Sequence, residues 1–276
     1  MRVLAINDIS CVGKCSLTVA LPVISACGVT CDILPTALLS THTGGFTGYT
    51  FRDLSEDIPA ILAHWKSLGL KYDYIVSGYL GSIDQIDMVR SVKDDFLKEG
   101  GTMIVDPVMG DNGKMYAHFD DKFVQEMKGL CRCADVIVPN LTEACLLAGV
   151  PYDPQPDDAA VAGLIERLDS LCGKYARTIA VTGIRRGDQI GVACSDTRNG
   201  GGRIEYRLAP YCETFFPGCG DLLASVLLAG VLAGRTASDT LGQAVSFISE
   251  VSYKTQRLGT PPREGVVFEN ELYRLI

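Results

Sequence analysis

Short runs of β-branched and aliphatic residues alternate along the whole chain with windows whose apolar positions recur three or four apart. Residues 3–6 read as a strand, after which Leu17, Ala20, Leu21 and Ile24 fall on one helical face. Residues 75–77 predict a second strand, and a helix carrying Val89, Val92 and Phe96 leads through Gly100 and Gly101 to a strand over 102–105. Strands over 136–138 and 179–182 flank a helix with Ala160, Val161, Leu164, Ile165 and Leu168 on its apolar side. This β-α-β order predicts an α/β fold: a mostly parallel central sheet covered by helices on both faces, with ligands bound beyond the carboxyl ends of the strands. Residues 190–193 and 204–208 predict a small antiparallel pair joined through Gly200, Gly201 and Gly202, followed by two long apolar helices, the first over 222–232.

No internal repeat, low-complexity tract or linker interrupts the pattern, so a single domain over 1–276 is expected, with the prolines at 151–156 in a surface loop before a helix. Hydrophobic content of 47% with 21% charged residues excludes a disordered chain. A net charge of −8 without a basic stripe argues against nucleic-acid binding, and no apolar run is long enough to span a membrane. Met1 leads straight into a short apolar segment with no export signal, and the 11 scattered cysteines read as reduced thiols, so a cytoplasmic protein is expected. Cys11/Cys15 and Cys27/Cys31 have ligand-like spacing. They are assigned to a loop and an apolar helix without partnering histidines, and so to structural roles.

The chemistry concentrates in four segments that close strands or open helices. Phe216-Pro217-Gly218-Cys219-Gly220-Asp221 precedes the apolar helix over 222–232. Gly218 and Gly220 let successive N–H groups converge at a helix N-terminus, which favours an anion, and Asp221 is placed to take a proton from an attacking hydroxyl. The alternative is a simple turn with Asp221 as a helix cap. Asp106-Pro107-Val108-Met109-Gly110-Asp111 closes one strand, Pro139-Asn140-Leu141-Thr142-Glu143 closes the next, and Val181-Thr182-Gly183 ends a third. Acidic groups at neighbouring strand ends suit a magnesium ion beside nucleotide phosphates; alone, Asp106 is equally a turn residue, and Thr142 with Glu143 a helix start.

Taken together, these segments resemble the ribokinase-like superfamily, and within it the pyridoxal kinases, over nearly the full chain. Leu39-Ser40-Thr41-His42-Thr43-Gly44 is similar to their substrate stretch; Ser77-Gly78-Tyr79-Leu80-Gly81-Ser82 and the Asp106–Asp111 segment match their patterns most closely. The resemblance implies a three-layer αβα fold, a homodimer, and ATP-dependent phosphorylation of the 5′-hydroxyl of a vitamin B6 vitamer. The implied base is Asp221, with the backbone of Gly218, Cys219 and Gly220 at the transferring phosphate. Asp8, Ser10, Thr43, Gly44 and Tyr79 are implied at the substrate. Asp106, Asp111, Tyr116 (in a flap), Asn140, Glu143 and Thr182 are implied at ATP, with Asp106 and Asp111 near its phosphates and cations, Asn140 and Glu143 organising magnesium, and Asp111 and Glu143 taken as the Mg2+ residues. Three departures stand out. Asp8 replaces a serine common in the family and is expected to favour a cationic group, such as a protonated ring nitrogen or the aminomethyl of pyridoxamine, or else ties down the loop. Cys219 is either nucleophilic at the helix N-terminus or merely small. Val138 stands where some relatives carry threonine near a monovalent cation such as K+. A hydroxymethylpyrimidine kinase and a non-catalytic vitamer-binding protein are the alternatives. His42 reads as a substrate contact or a loop stabiliser, Lys14 as a solvated lysine, Trp65 as a packing residue, and His64 and His118 carry no role.

Overall fold

The structure is a computed structural model that describes residues 1–173, 178–196 and 202–275. The chain runs β1 (Arg2–Ser10), α1 (Leu17–Ala26), β2 (Thr30–Leu39), β3 (Phe51–Asp53), α2 (Ile58–Ser67), β4 (Tyr72–Ser77), α3 (Ile83–Phe96) and β5 (Leu97–Val105). It continues with β6 (Gly110–Asp111), β7 (Lys114–Met115), α4 (Asp121–Cys131), β8 (Val136–Ile137), α5 (Leu141–Ala148) and α6 (Asp158–Cys172). It then forms β9 (Thr178–Arg186), β10 (Gln189–Asp196), β11 (Ile204–Pro210), α7 (Cys219–Leu232) and α8 (Ala237–Arg257), and ends in two short 3-10 helices, Pro262–Glu264 and Glu269–Leu275.

Side chains on successive strand positions point to opposite faces, and the core divides accordingly. Leu4, Ile6, Met103, Val105, Ile137, Ile179 and Val181 pack with the apolar faces of α2 to α6. Their neighbours Val3, Ile104, Val136, Val138, Ala180 and Val192 pack on the other side with α1, α7 and α8. This is the expected three-layer αβα arrangement. The sheet order is β11-β10-β9-β8-β5-β4-β1-β2-β3, parallel from β2 through β9. From β1 the chain first moves to β2 on one side and later returns to β4 on the other, so the connections after β1 and β4 diverge. A crevice opens at that point.

Several elements differ from the sequence reading. The first strand continues to Ser10 through a register shift between Asn7 and Ile9, so Asp8 and Ser10 lie on its end and not in a loop. Strand β2 was not expected, because Asp32 and Pro35 break its apolar run; Cys27 caps α1 and Cys31 sits in β2, so they bracket a turn and not a helix. The antiparallel segment includes β9, which pairs β10 through a hairpin at Gly187 and Asp188, besides the expected β10–β11 pair. Gly200 and Gly201 of the expected connecting loop lie outside the described residues. Among the described residues no helix is long and apolar enough to cross a membrane.

Candidate active site

The end of β1 delivers Asn7, a buried amide that links three segments. Its Oδ1 accepts from the backbone N–H of Asp8 and of Tyr79, each at 2.9 Å, and its Nδ2 donates to Asp221 Oδ1 at 3.1 Å. Gly78 is required beside it, since a Cβ there would lie 2.2 Å from Asn7 Nδ2. The other Asp221 oxygen accepts from the Ser16 N–H at 2.8 Å. Burial pushes the Asp221 carboxyl up to about 6 against the Ser16 hydrogen bond, and the nearby Asp8 charge adds to the rise. A base tuned towards neutrality ionises readily yet still accepts a proton.

Asp221 stands in the first turn of α7, whose cap Gly218 has φ 84. A Cβ on Gly218 would lie 1.9 Å from the Lys14 carbonyl, so the cap and the segment after β1 approach more closely than a side chain allows. The N–H groups of the first helical turn have no intrahelical acceptor and carry the positive end of the helix dipole, which makes this an anion-stabilising position. Cys219 begins the helix, but burial pushes its thiol up to about 12. That burial disfavours the thiolate at this position.

On the substrate side, the Asp8 carboxylate is buried and raised by that burial, with Ser16 Oγ donating to Oδ1 at 2.5 Å and Ser10 Oγ to Oδ2 at 2.9 Å. His42 is a loop stabiliser: its Nε2 donates to the Arg263 carbonyl at 2.7 Å while Nδ1 accepts from the Gly44 N–H at 3.0 Å, a pattern that fixes the tautomer. The Gly44 N–H, nominated for substrate, is therefore committed to His42. Gly44 itself lies against Pro217, which brings this stretch to the anion site, and Thr43 is exposed at its tip. Tyr79 lies against Phe119 at 6.1 Å and its hydroxyl bonds His118 Nε2 at 3.1 Å, giving His118 a position beside the crevice that the sequence did not reveal.

On the expected nucleotide side, Asn112 (φ 51) and Gly113 (φ 75) turn the β6–β7 hairpin, and Tyr116 follows it, half-exposed, with its N–H on the Met109 carbonyl. Asn140 and Glu143 form a capping box at α5; the Glu143 oxygens accept from the N–H groups of Met109 and Asn140, and Asn140 Nδ2 donates to the Gly110 carbonyl. Thr182 bridges to Asn140 from β9, joining this corner to the next strand. Burial pushes Glu143 up to about 8.

The two residues nominated for Mg2+ are thus engaged. Both Asp111 oxygens accept from Asn112, and both Glu143 oxygens from backbone, so each carboxylate also organises its own loop. Among the described residues no cluster of three His, Cys, Asp or Glu is arranged around a metal position. Asp106 accepts no side-chain hydrogen bond among the described residues. Its carboxyl is raised by burial and then by the charges of Glu143 and Asp221. Repulsion of that kind is relieved by a cation, and Mg2+ ordinarily takes one or two carboxylates with phosphate oxygens and waters, so Asp106 could hold the ion alongside the nominated pair.

Other secondary candidates resolve as packing or surface contacts. Lys14 pairs with Glu269 at 2.8 Å, and Trp65 packs edge-on against Phe96. Ser16 went unnoticed; its one sequence signal is a hydroxyl residue directly before the apolar run of α1.

The family model described as phosphomethylpyrimidine kinase matches residues 20–263. The structure is similar to pyridoxal kinase from Lactobacillus plantarum, with 34% identity, a TM-score of 0.91 and coverage of 99% of this chain and 96% of that one. It is also similar to a Bacteroides thetaiotaomicron structure with pyridoxal, provisionally described as a phosphomethylpyrimidine kinase, at 32% identity, TM-score 0.88 and coverage of 99% and 95%. A Schizosaccharomyces pombe protein, provisionally named a pyridoxal kinase, is 32% identical over 282 residues, covering 92% of this chain and 85% of its own. The chain spans from 48% to 85% of the length of its curated relatives. With that match along most of its length and the αβα sheet described above, the chain belongs to the phosphomethylpyrimidine kinase family and, within it, to the pyridoxal kinases of the ribokinase-like superfamily.

Proposed function

We propose that this protein is a phosphotransferase that moves the γ-phosphoryl group of ATP to the 5′-hydroxyl of a vitamin B6 vitamer. The observation that carries the reading is Asp221, a half-buried carboxylate anchored by Ser16 and Asn7 in the first turn of α7, in a chain 34% identical to a pyridoxal kinase. The vitamer ring would sit in the crevice between the ends of β1 and β4, near Asp8, Thr43 and Tyr79. Asp221 takes the hydroxyl proton onto its carboxylate as the oxygen attacks, and the first-turn N–H groups after Gly218 hold the charge on the transferring group. ATP would lie along Asp106, Asp111, Tyr116, Asn140 and Thr182, with Tyr116 helping to exclude water. Asp106 would hold Mg2+, which neutralises phosphate charge when bound. A homodimer and a cytoplasmic location belong to the same proposal, on the strength of the family.

Asp8 bears on which vitamer is preferred. It is a buried carboxylate with no ion-pair partner among the described residues, and it neighbours Asp221, so a cationic substrate group compensates it. Pyridoxamine is therefore expected to exceed pyridoxine in kcat/KM by about tenfold, a gap that Asp8→Ser should largely close. Equal values in the parent, unaltered in the variant, would count against this assignment. The function itself is tested by ADP release over a panel of pyridoxal, pyridoxamine, pyridoxine and hydroxymethylpyrimidine. Turnover of the vitamers is expected. Turnover of hydroxymethylpyrimidine alone would favour the activity for which the family model is named, and vitamer binding without ADP release would indicate a non-catalytic scaffold.

A further inference from the structure

Among the described residues only Ser16 and Asn112 combine a side chain with positive φ. Asn112 has an ordinary reason, since it opens the Asn-Gly turn of a two-residue hairpin. Ser16, at φ 55 and ψ −130, has no such turn to serve, and residues bearing a Cβ rarely enter that region. Its contacts supply the reason. The Ser16 N–H donates to Asp221 Oδ2 at 2.8 Å, while its hydroxyl donates to Asp8 Oδ1 at 2.5 Å. One buried residue thereby holds both carboxylates of the crevice from a single backbone position. The Ser16 carbonyl at the same time accepts from the N–H groups of Val19 and Ala20, which ties that position to the start of α1.

We infer that Ser16 is a positioning residue that sets Asp8, the substrate-facing carboxylate, in register with the base Asp221. The inference rests on the proposed vitamer kinase reading. Its hydroxyl acts through Asp8, and its N–H acts directly on Asp221. The unfavourable backbone is the consequence of aiming both groups at once. A residue retained only for the fold would be relieved by glycine, which enters this region without a steric penalty and keeps the N–H.

The experiment compares Ser16→Gly, Ser16→Ala, Asp8→Asn and the Ser16→Gly/Asp8→Asn double variant, reading melting temperature and kinetics with pyridoxamine and ATP. Glycine removes the strain and alanine retains it, but both remove the hydroxyl. Both are therefore expected to lose about tenfold or more in kcat/KM for pyridoxamine, with KM for ATP unchanged. The melting temperature of Ser16→Gly should equal or exceed that of the parent. Because Ser16 acts through Asp8, the double variant should be little worse than Asp8→Asn alone, where independent sites would multiply their losses. Parental kcat/KM in Ser16→Gly, or losses that multiply in the double variant, would overturn the inference. A parent protein that phosphorylates no vitamer would instead defeat the functional reading on which it rests.

Discussion

The Asp221→Asn protein is expected to lose about 10²–10⁴-fold in kcat while remaining folded, the range over which a positioned general base contributes. Asparagine keeps the shape of the side chain, and its amide oxygen still accepts the Ser16 N–H, so that anchor of α7 beside β1 survives although the hydrogen bond from Asn7 Nδ2 is lost. The ability to receive the hydroxyl proton does not. The same carboxylate sets a pH limb in the parent. Only its ionised form is a base, and burial pushes it up to about 6, so kcat/KM should fall as pH drops through that value. The residual activity of Asp221→Asn should lack that limb. The check is kcat and kcat/KM against pH for both proteins, with near-ultraviolet circular dichroism to establish the fold.

Gly218→Ala should be nearly as damaging, for a steric reason. At φ 84 a Cβ is unfavourable in itself, and here it would lie 1.9 Å from a backbone oxygen that has no flexible end to swing away. Backbone strain and overpacking together are expected to cost about 2–4 kcal/mol, which lowers the melting temperature by roughly 5–15 °C in a protein of this size. Moving the cap also displaces the N–H groups proposed to hold the transferring phosphate, for a further expected loss of about 10²–10³ in kcat. Gly220→Ala is the control for stability. Nothing lies within 4 Å of a Cβ there, so its melting temperature should match that of the parent.

The layered fold was legible because buried parallel strands and their covering helices carry strong periodic signals, as residues 102–105 and the α6 face illustrate. Strand β2 was hidden because it carries Asp32 and Pro35, which its position beside β1 and the short edge strand β3 tolerates and propensity alone does not. At the site, the glycine-flanked Asp221 and the strand-end aspartates could be nominated because their chemistry depends on where a strand or helix stops. What could not be read was how each acid is satisfied. Asp111 and Glu143 look like ligands in sequence, and only the structure shows that their oxygens also serve turn and capping geometry, while Asp106 accepts no side-chain hydrogen bond among the described residues. Ser16 and His118 carried no strong signal either. The role of Ser16 arises from a backbone conformation, and that of His118 from contact with a residue 39 positions away.

The central claim is that this crevice esterifies one particular alcohol, and the most direct measurement is phosphorus NMR of the product formed from ATP with pyridoxal or pyridoxamine. A phosphate monoester on the 5′-hydroxyl of each vitamer is expected, formed in step with ADP. Release of inorganic phosphate with the vitamers unaltered, or an ester on another oxygen, would contradict it.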